Sequence, residues 1–214
     1  MRIDRLGARE LGEFWSLLED VEYLPGPHTA LRTPWGELRL ERPGALLGEA
    51  LRRMQLGPVS LGNVVPGFPG YDVPEDEWSE ASRELLGALE PLQHVTVRHL
   101  AIGASLLLSV IPLSPRARFR PAPAAPGSHL RVPSGAVLRG PGRDPVFAYE
   151  GGEHRVELHG PDAPLLLLHL RAGRGDFRSA RGVALPWSVV RAARAYTAAA
   201  GLLRAVGPQG ADPP

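Results

Sequence analysis

The run "LLLSVIPLSPRARFRP" at residues 106–121 constrains this chain more than any other stretch. An apolar, strand-like segment stops at Pro112 and Pro115 and passes into Arg116, Arg118 and Arg120 on alternate positions. Proline has no N–H to give to a ladder, so two prolines in quick succession end a strand. A break of this kind in mid-chain marks the junction of two small units. The reading that follows is an α+β protein built from two winged helix-turn-helix-like modules in tandem.

The segments on either side fit that reading. "LGEFWSLLEDVEY" places Leu11, Phe14, Trp15 and Leu18 at helical spacing, so residues 1–30 are expected to hold an amino-terminal helix. Residues 31–115 form the first module. It begins with "GELRLE", whose Leu38 and Leu40 share one face of a strand. "ALLGEALRRM" is amphipathic, with Leu46, Leu47, Ala50, Leu51 and Met54 on one side. "VSLGNV" is a short turn that Ser60 can cap. "EDEWSEASRELLGALEPL" is a third helix, with Glu75, Asp76 and Glu77 matched to its amino-terminal dipole. "HVTVRHLA" and "SLLLSVIPL" read as a hairpin turning at Gly103.

Residues 116–130 carry three prolines and no periodicity, as an extended linker would. The second module spans residues 131–207. "GAVLRG", "PVFAYE" and "HRVELH" are three short strands, a β-meander. "PDAPLLLLHLRAG" is a helix with Pro164 in its first turn, and "RGDFRSARGVA" is a polar connector. "LPWSVVRAARAYTAAAGLL" is the last helix, opened by Pro186 and closed by Gly201. The carboxy-terminal module is thus three strands followed by three helices, the second a weak single turn within that connector, and residues 208–214 are expected to be a disordered tail.

Charge separates the halves. All 24 basic residues are arginine; residues 1–90 hold 9 of them against 16 acids, net −7, and residues 91–214 hold 15 against 7, net +8. Only the second half suits an acidic partner, and the opposition allows a head-to-tail homodimer. The absence of cysteine excludes disulfides, thiolate metal sites and a cysteine nucleophile. The charged amino terminus has no signal-peptide core, and no apolar run approaches a membrane span, so a cytoplasmic location without membrane contact is expected.

Catalytic patterns are few. The chain has no G-x-S-x-G elbow, P-loop or G-x-G-x-x-G. His94 and His99, like His154 and His159, stand five apart on strands and so face opposite sides. No catalytic group, metal site or cofactor is expected from the residues themselves.

The segments "LLLSVIPLSPRARFRP", "HLRVPSGAVLRG", "VFAYE", "HRVELHGPDAPLLLLHLRAG" and "AAAGLLRAV" resemble the amino-terminal, non-catalytic region of SagB-type azoline dehydrogenases, which help make thiazole- and oxazole-containing peptides. The resemblance covers roughly residues 85–206. Those enzymes continue into a flavin-binding domain, and this chain stops at Pro214. The second half also resembles the PqqD-like winged helix that recognises precursor peptides in ribosomal peptide biosynthesis.

In that element a leader peptide adds as a strand beside the third strand and packs on the third helix. Carried over, the resemblance implies a site made of His154, Arg155, Val156, Glu157 and Leu158 with Trp187, Val190, Arg191 and Arg194. Exposed strand edges offer backbone hydrogen bonds, and the arginines can read carboxylates. The expected function is non-catalytic binding of a leader peptide for a separate flavin-dependent dehydrogenase or cyclodehydratase. One alternative is a subunit of a split FMN-dependent peptide dehydrogenase. The other is a winged-helix DNA-binding regulator, disfavoured because the last helix is alanine-rich and has few base-reading side chains.

Overall fold

The structure is a computed structural model that describes residues 11–26, 28–123, 129–133, 135–139, 145–172 and 185–206. In chain order the strands and helices are β1 (Leu11–Leu17), β2 (Glu22–Leu24), β3 (Ala30–Thr33), β4 (Gly36–Arg39), α1 (Ala45–Met54), α2 (Glu80–Leu89), β5 (Thr96–Ile102), β6 (Ser105–Pro112), β7 (His129–Arg131), β8 (Ala136–Arg139), β9 (Val146–Tyr149), β10 (His154–Leu158), α3 (Ala163–Ala172), α4 (Trp187–Ala199) and β11 (Arg204–Val206). The class is mixed α+β. A six-stranded antiparallel sheet, ordered β1-β5-β6-β10-β9-β8, is joined by a β2-β3-β4 meander and a β7-β11 pair.

The large sheet draws on both halves of the sequence. β6 pairs with β10 from His154↔Pro112 to Leu158↔Leu108, so strands on either side of the expected linker are neighbours. Nor do residues 116–120 hang free. Ala117 and Phe119 are buried, whereas Arg116, Arg118 and Arg120 between them are exposed. The alternating arginines therefore belong to a strap, laid apolar side down across the sheet. Phe119 enters the core of the carboxy-terminal half and packs edge-on against Tyr196.

Two apolar cores pack on the sheet, and the register line Trp15–Arg98–Val110–Val156 puts them on the same face. One gathers Trp15, Leu17, Leu31, Leu51, Met54, Leu85 and Leu89 from β1, β3, α1 and α2. The other gathers Leu100, Leu108, Val110, Val156, Leu158, Leu166 and Tyr196 under α3 and α4. Burial of such side chains contributes about 1.5–3 kcal/mol each before entropy is charged against it.

Several local expectations are realised. Ser60 accepts from the Gly62 N–H at the short turn 61–63. Gly103, at φ 60°, turns the β5–β6 hairpin, a conformation that a Cβ would oppose. Gly201, at φ 78°, follows α4.

Others need correction. Residues 11–17 are a strand, not a helix: β1 pairs with β5 over seven residues, from Leu11↔Ile102 to Leu17↔Thr96. Apolar spacing in this short segment satisfied the helical period, and cross-strand packing of its aromatic side chains decided the outcome. Residues 1–10 lie outside the described residues. The acids Glu75, Asp76 and Glu77 form a separate single turn; α2 begins later, capped by Ser79, whose hydroxyl accepts from the Ser82 N–H. The connector "RGDFRSARGVA" and the tail at residues 208–214 also fall outside the described residues.

Candidate functional site

The residues that the resemblance singled out do not converge. β10 is hydrogen-bonded to β6 on one side and to β9 on the other, so it has no open edge for a ligand strand. Successive side chains of a strand point to opposite faces. His154, Val156 and Leu158 are accordingly buried toward the helices, while Arg155 and Glu157 pair with each other at 3.0 Å on the other face. Val190 lies in the interior, and Trp187 is exposed at the start of α4. Arg191 approaches Asp72 at 3.8 Å. Arg194 donates to the carbonyls of His169 and Leu130, and burial lowers its pKa. An imidazole and an apolar stripe thus serve the core, and the arginines are distributed over separate surfaces.

The described residues do bring together another set. A half-open cleft of about 430 Å³ lies where β1 and β5 meet α2, the loop at 68–71 and the strap at 119–121. Its walls are Trp15, Phe68, Tyr71, Trp78 and Phe119, and Arg98 lines it as well. A concave, largely aromatic surface with a few fixed polar groups is the usual form of a ligand site.

Arg98 reaches this place because β5 is a central strand and Arg98 is the register partner of Trp15 on β1. Its guanidinium carbon stands 3.4 Å from the centroid of the Trp15 ring. Its Nη2 donates to Glu13 Oε2 at 3.0 Å and to the Tyr196 hydroxyl at 3.3 Å. Tyr196 in turn donates to Glu13 Oε2 at 2.5 Å, and the Tyr71 backbone N–H donates to Glu13 Oε1 at 2.5 Å. Burial raises the pKa of Tyr196 well above the ordinary phenol range, so this hydroxyl keeps its proton and acts as a donor.

One donor is left over. Arg98 Nε is buried and has no hydrogen-bond partner. A buried charged donor without an acceptor is costly, and the Trp15 ring face is what the guanidinium has in place of one. At the cleft rim Arg120 pairs with Glu90. Gln93 ties the two walls together, donating to Glu90 at 2.6 Å and accepting from the Phe119 N–H at 2.6 Å.

Sequence reasoning passed over this group for identifiable reasons. The apolar spacing of residues 11–18 suits a helix, which hides Glu13 and Trp15, and the prolines on either side of Phe119 and Arg120 suit a linker. A signal existed in "HVTVRHLA": an arginine and a histidine side by side in an apolar strand put one polar group on each face.

The second of these, His99, opens onto the opposite face. Ser16 Oγ lies 2.9 Å from His99 Nε2, and His99 Nδ1 lies 2.7 Å from Ser109 Oγ. Ser109 Oγ is also 2.7 Å from His159 Nε2. Burial lowers the pKa of His99 to about 4, with the neighbouring His159 and Arg98 adding to the effect.

Among the described residues no group of three or more His, Asp or Glu could hold a metal ion, and no helix is long and apolar enough to cross a membrane. No protein-family model matches this sequence, and no curated protein matches it.

Proposed function

We propose that this protein is a non-catalytic peptide-binding component in the biosynthesis of ribosomally made, azole- or azoline-modified peptides, holding a precursor's leader segment for a separate modifying enzyme. The resemblance in residues 85–206 supplies the biosynthetic context. On this reading the carboxy-terminal half, three meander strands followed by helices, is a winged-helix recognition element that has been absorbed into a larger sheet.

The observation that carries the reading is the aromatic cleft itself, with the Arg98 guanidinium in its lining. An extended peptide presents what that cleft lacks: carbonyl oxygens to accept from the guanidinium and apolar side chains to lie against Phe68, Tyr71 and Trp78. The seat is therefore the cleft beside β1, not the paired strand β10. Specificity comes from side-chain pockets, as in other modes of extended-peptide recognition.

A DNA-reading role fits less well. Only Trp187, Ser188 and Arg191 of α4 are exposed, too little surface for a helix laid in a major groove.

The test is calorimetric titration of the full chain with a synthetic leader peptide from the precursor gene encoded beside it. The expected result is saturable binding that weakens roughly tenfold or more in Trp78→Ala, as the loss of an aromatic anchor implies. If the unaltered protein gives no heat above dilution, the reading is lost.

A further inference from the structure

A second hollow, of about 700 Å³, lies on the other face of the large sheet and shares no lining residue with the first. Its floor is the face of β5, β6 and β10 turned away from the helices, carrying His99, Ser109, Arg155 and Glu157. Its walls are the β1–β2 turn, the tip of the β3–β4 hairpin and the chain that follows α1.

Three features of this hollow point to a ligand. The first is its rim. Of the seven large apolar side chains that stand exposed among the described residues, three border it: Trp35, Leu56 and Leu113. Clustering of exposed apolar groups around one concavity is a mark of a binding surface, whereas scattered ones are ordinary.

The second is the floor. Ser16, His99, Ser109 and His159 form a continuous hydrogen-bonded chain, in which each serine has one proton to give. Such a chain can run in either direction, so it can meet a donor or an acceptor. His99 stays neutral at physiological pH and therefore does not repel a cation.

The third is charge. Glu19, Asp20 and Glu157 line the hollow against one guanidinium, Arg155, which is already engaged with Glu157. That balance turns away anions and favours cations.

We infer that this hollow is a second binding site, for a small amine: an apolar ring or chain held among Trp35, Leu56 and Leu113, with its ammonium group toward Glu19 and Asp20. The volume lies within the range of sites for small organic molecules, roughly 300–1,000 Å³. The inference does not depend on the peptide reading, since the two hollows have separate walls.

The experiment is a magnetic-resonance titration of the full chain at pH 7 with three probes that share a phenyl body: 2-phenylethylamine, 2-phenylethanol and 3-phenylpropanoate. The indole signal of Trp35, assigned with Trp35→Phe, reports the rim, and the His99 ring signals report the floor. The amine is expected to shift both saturably. The alcohol should bind roughly fivefold more weakly and the carboxylate more weakly still, the size expected from a few solvent-exposed charge contacts. The double substitution Glu19→Gln/Asp20→Asn should remove the preference for amine over alcohol and leave the alcohol unaffected. Absence of a saturable shift with the amine, equal binding of the carboxylate, or an amine preference that survives the double substitution would each overturn the inference.

Discussion

Arg98 and His99 are consecutive residues of one strand, both nearly removed from solvent, and the chain accommodates them in opposite ways. The Arg98 guanidinium is held by a carboxylate, a phenol and an indole face. His99 loses its charge and is held between two serine hydroxyls. The first arrangement depends on partners far apart in sequence, 85 and 98 residues away. The second takes one partner, Ser109, from the facing strand 10 residues away and the other, Ser16, from β1, 83 residues away. The difference teaches which side of the sheet tolerates change: a buried ion needs every partner, while a neutral chain can lose one link at modest cost.

The largest consequence is expected at Arg98. Arg98→Met leaves Glu13 as a mostly buried carboxylate with only a phenol and one backbone N–H, and it uncovers the Trp15 ring. Breaking a buried pair by removing one partner costs about 3–5 kcal/mol. Urea denaturation should show a loss of that size, and Glu13→Gln together with Arg98→Met should recover part of it. A loss under about 1 kcal/mol, the level of a surface pair, would mean that the network adds nothing.

Acid should act through the other face. The folded pKa of His99, about 4, lies below its ordinary value of 6.5, so the folded state holds the imidazole neutral where the unfolded chain binds a proton. The resulting stability is complete above about pH 6.5 and is lost as pH falls toward 4. Linkage puts the total at about 3 kcal/mol. Burial of His154 lowers its pKa too and acts in the same direction. Between pH 7 and pH 4 the stability of the unaltered protein should fall relative to that of His99→Gln, whatever the gap at pH 7, because only the unaltered protein must protonate a buried imidazole. Parallel curves would contradict the burial of a neutral imidazole.

The two faces were unequally legible in the sequence. The β8-β9-β10 meander, the β5–β6 hairpin at Gly103, α1, α3 and α4 follow from alternation, helical spacing and Gly/Pro punctuation, all of which are local. The site does not follow from them. Glu13, Arg98 and Tyr196 meet only because β1 joins the sheet beside β5 and α4 lies across it. The spacing of Leu11, Phe14, Trp15 and Leu18 suits a helix, and only the partner strand reveals the alternative. β10 misled for the same reason: a short amphipathic strand looks like an edge until β6 and β9 are seen on its two sides. Periodicity reports which residues are buried, and sheet order, which it does not report, decides which edges remain open.

Matched deletions of a single hydroxyl sharpen the contrast further. Tyr196→Phe removes a donor to a carboxylate, a charge-assisted hydrogen bond, and should cost about 1.5–3 kcal/mol. Ser109→Ala removes a neutral link between two imidazoles and should cost about 0.5–1.5 kcal/mol. The order matters more than either number. If Ser109→Ala proved the more damaging, the histidine chain would be the stronger structural element, and the distinction between a charged face and a neutral one would fail.

The smallest effect is expected at the rim of the second hollow. Leu56 is 82% exposed, directly after α1, and its side chain contributes to neither apolar core. Its exposed surface is a burden to solubility and gives the folded state little. Leu56→Ser should therefore leave the denaturation midpoint unchanged within about 0.5 kcal/mol, as for other surface substitutions. The same substitution should weaken binding of 2-phenylethylamine while leaving leader-peptide binding alone, because Leu56 borders one hollow and not the other. A clear loss of stability would mean that Leu56 is covered in solution by another surface. Mass measurement by light scattering would then be the next step, since a self-associated form would already occupy the rim.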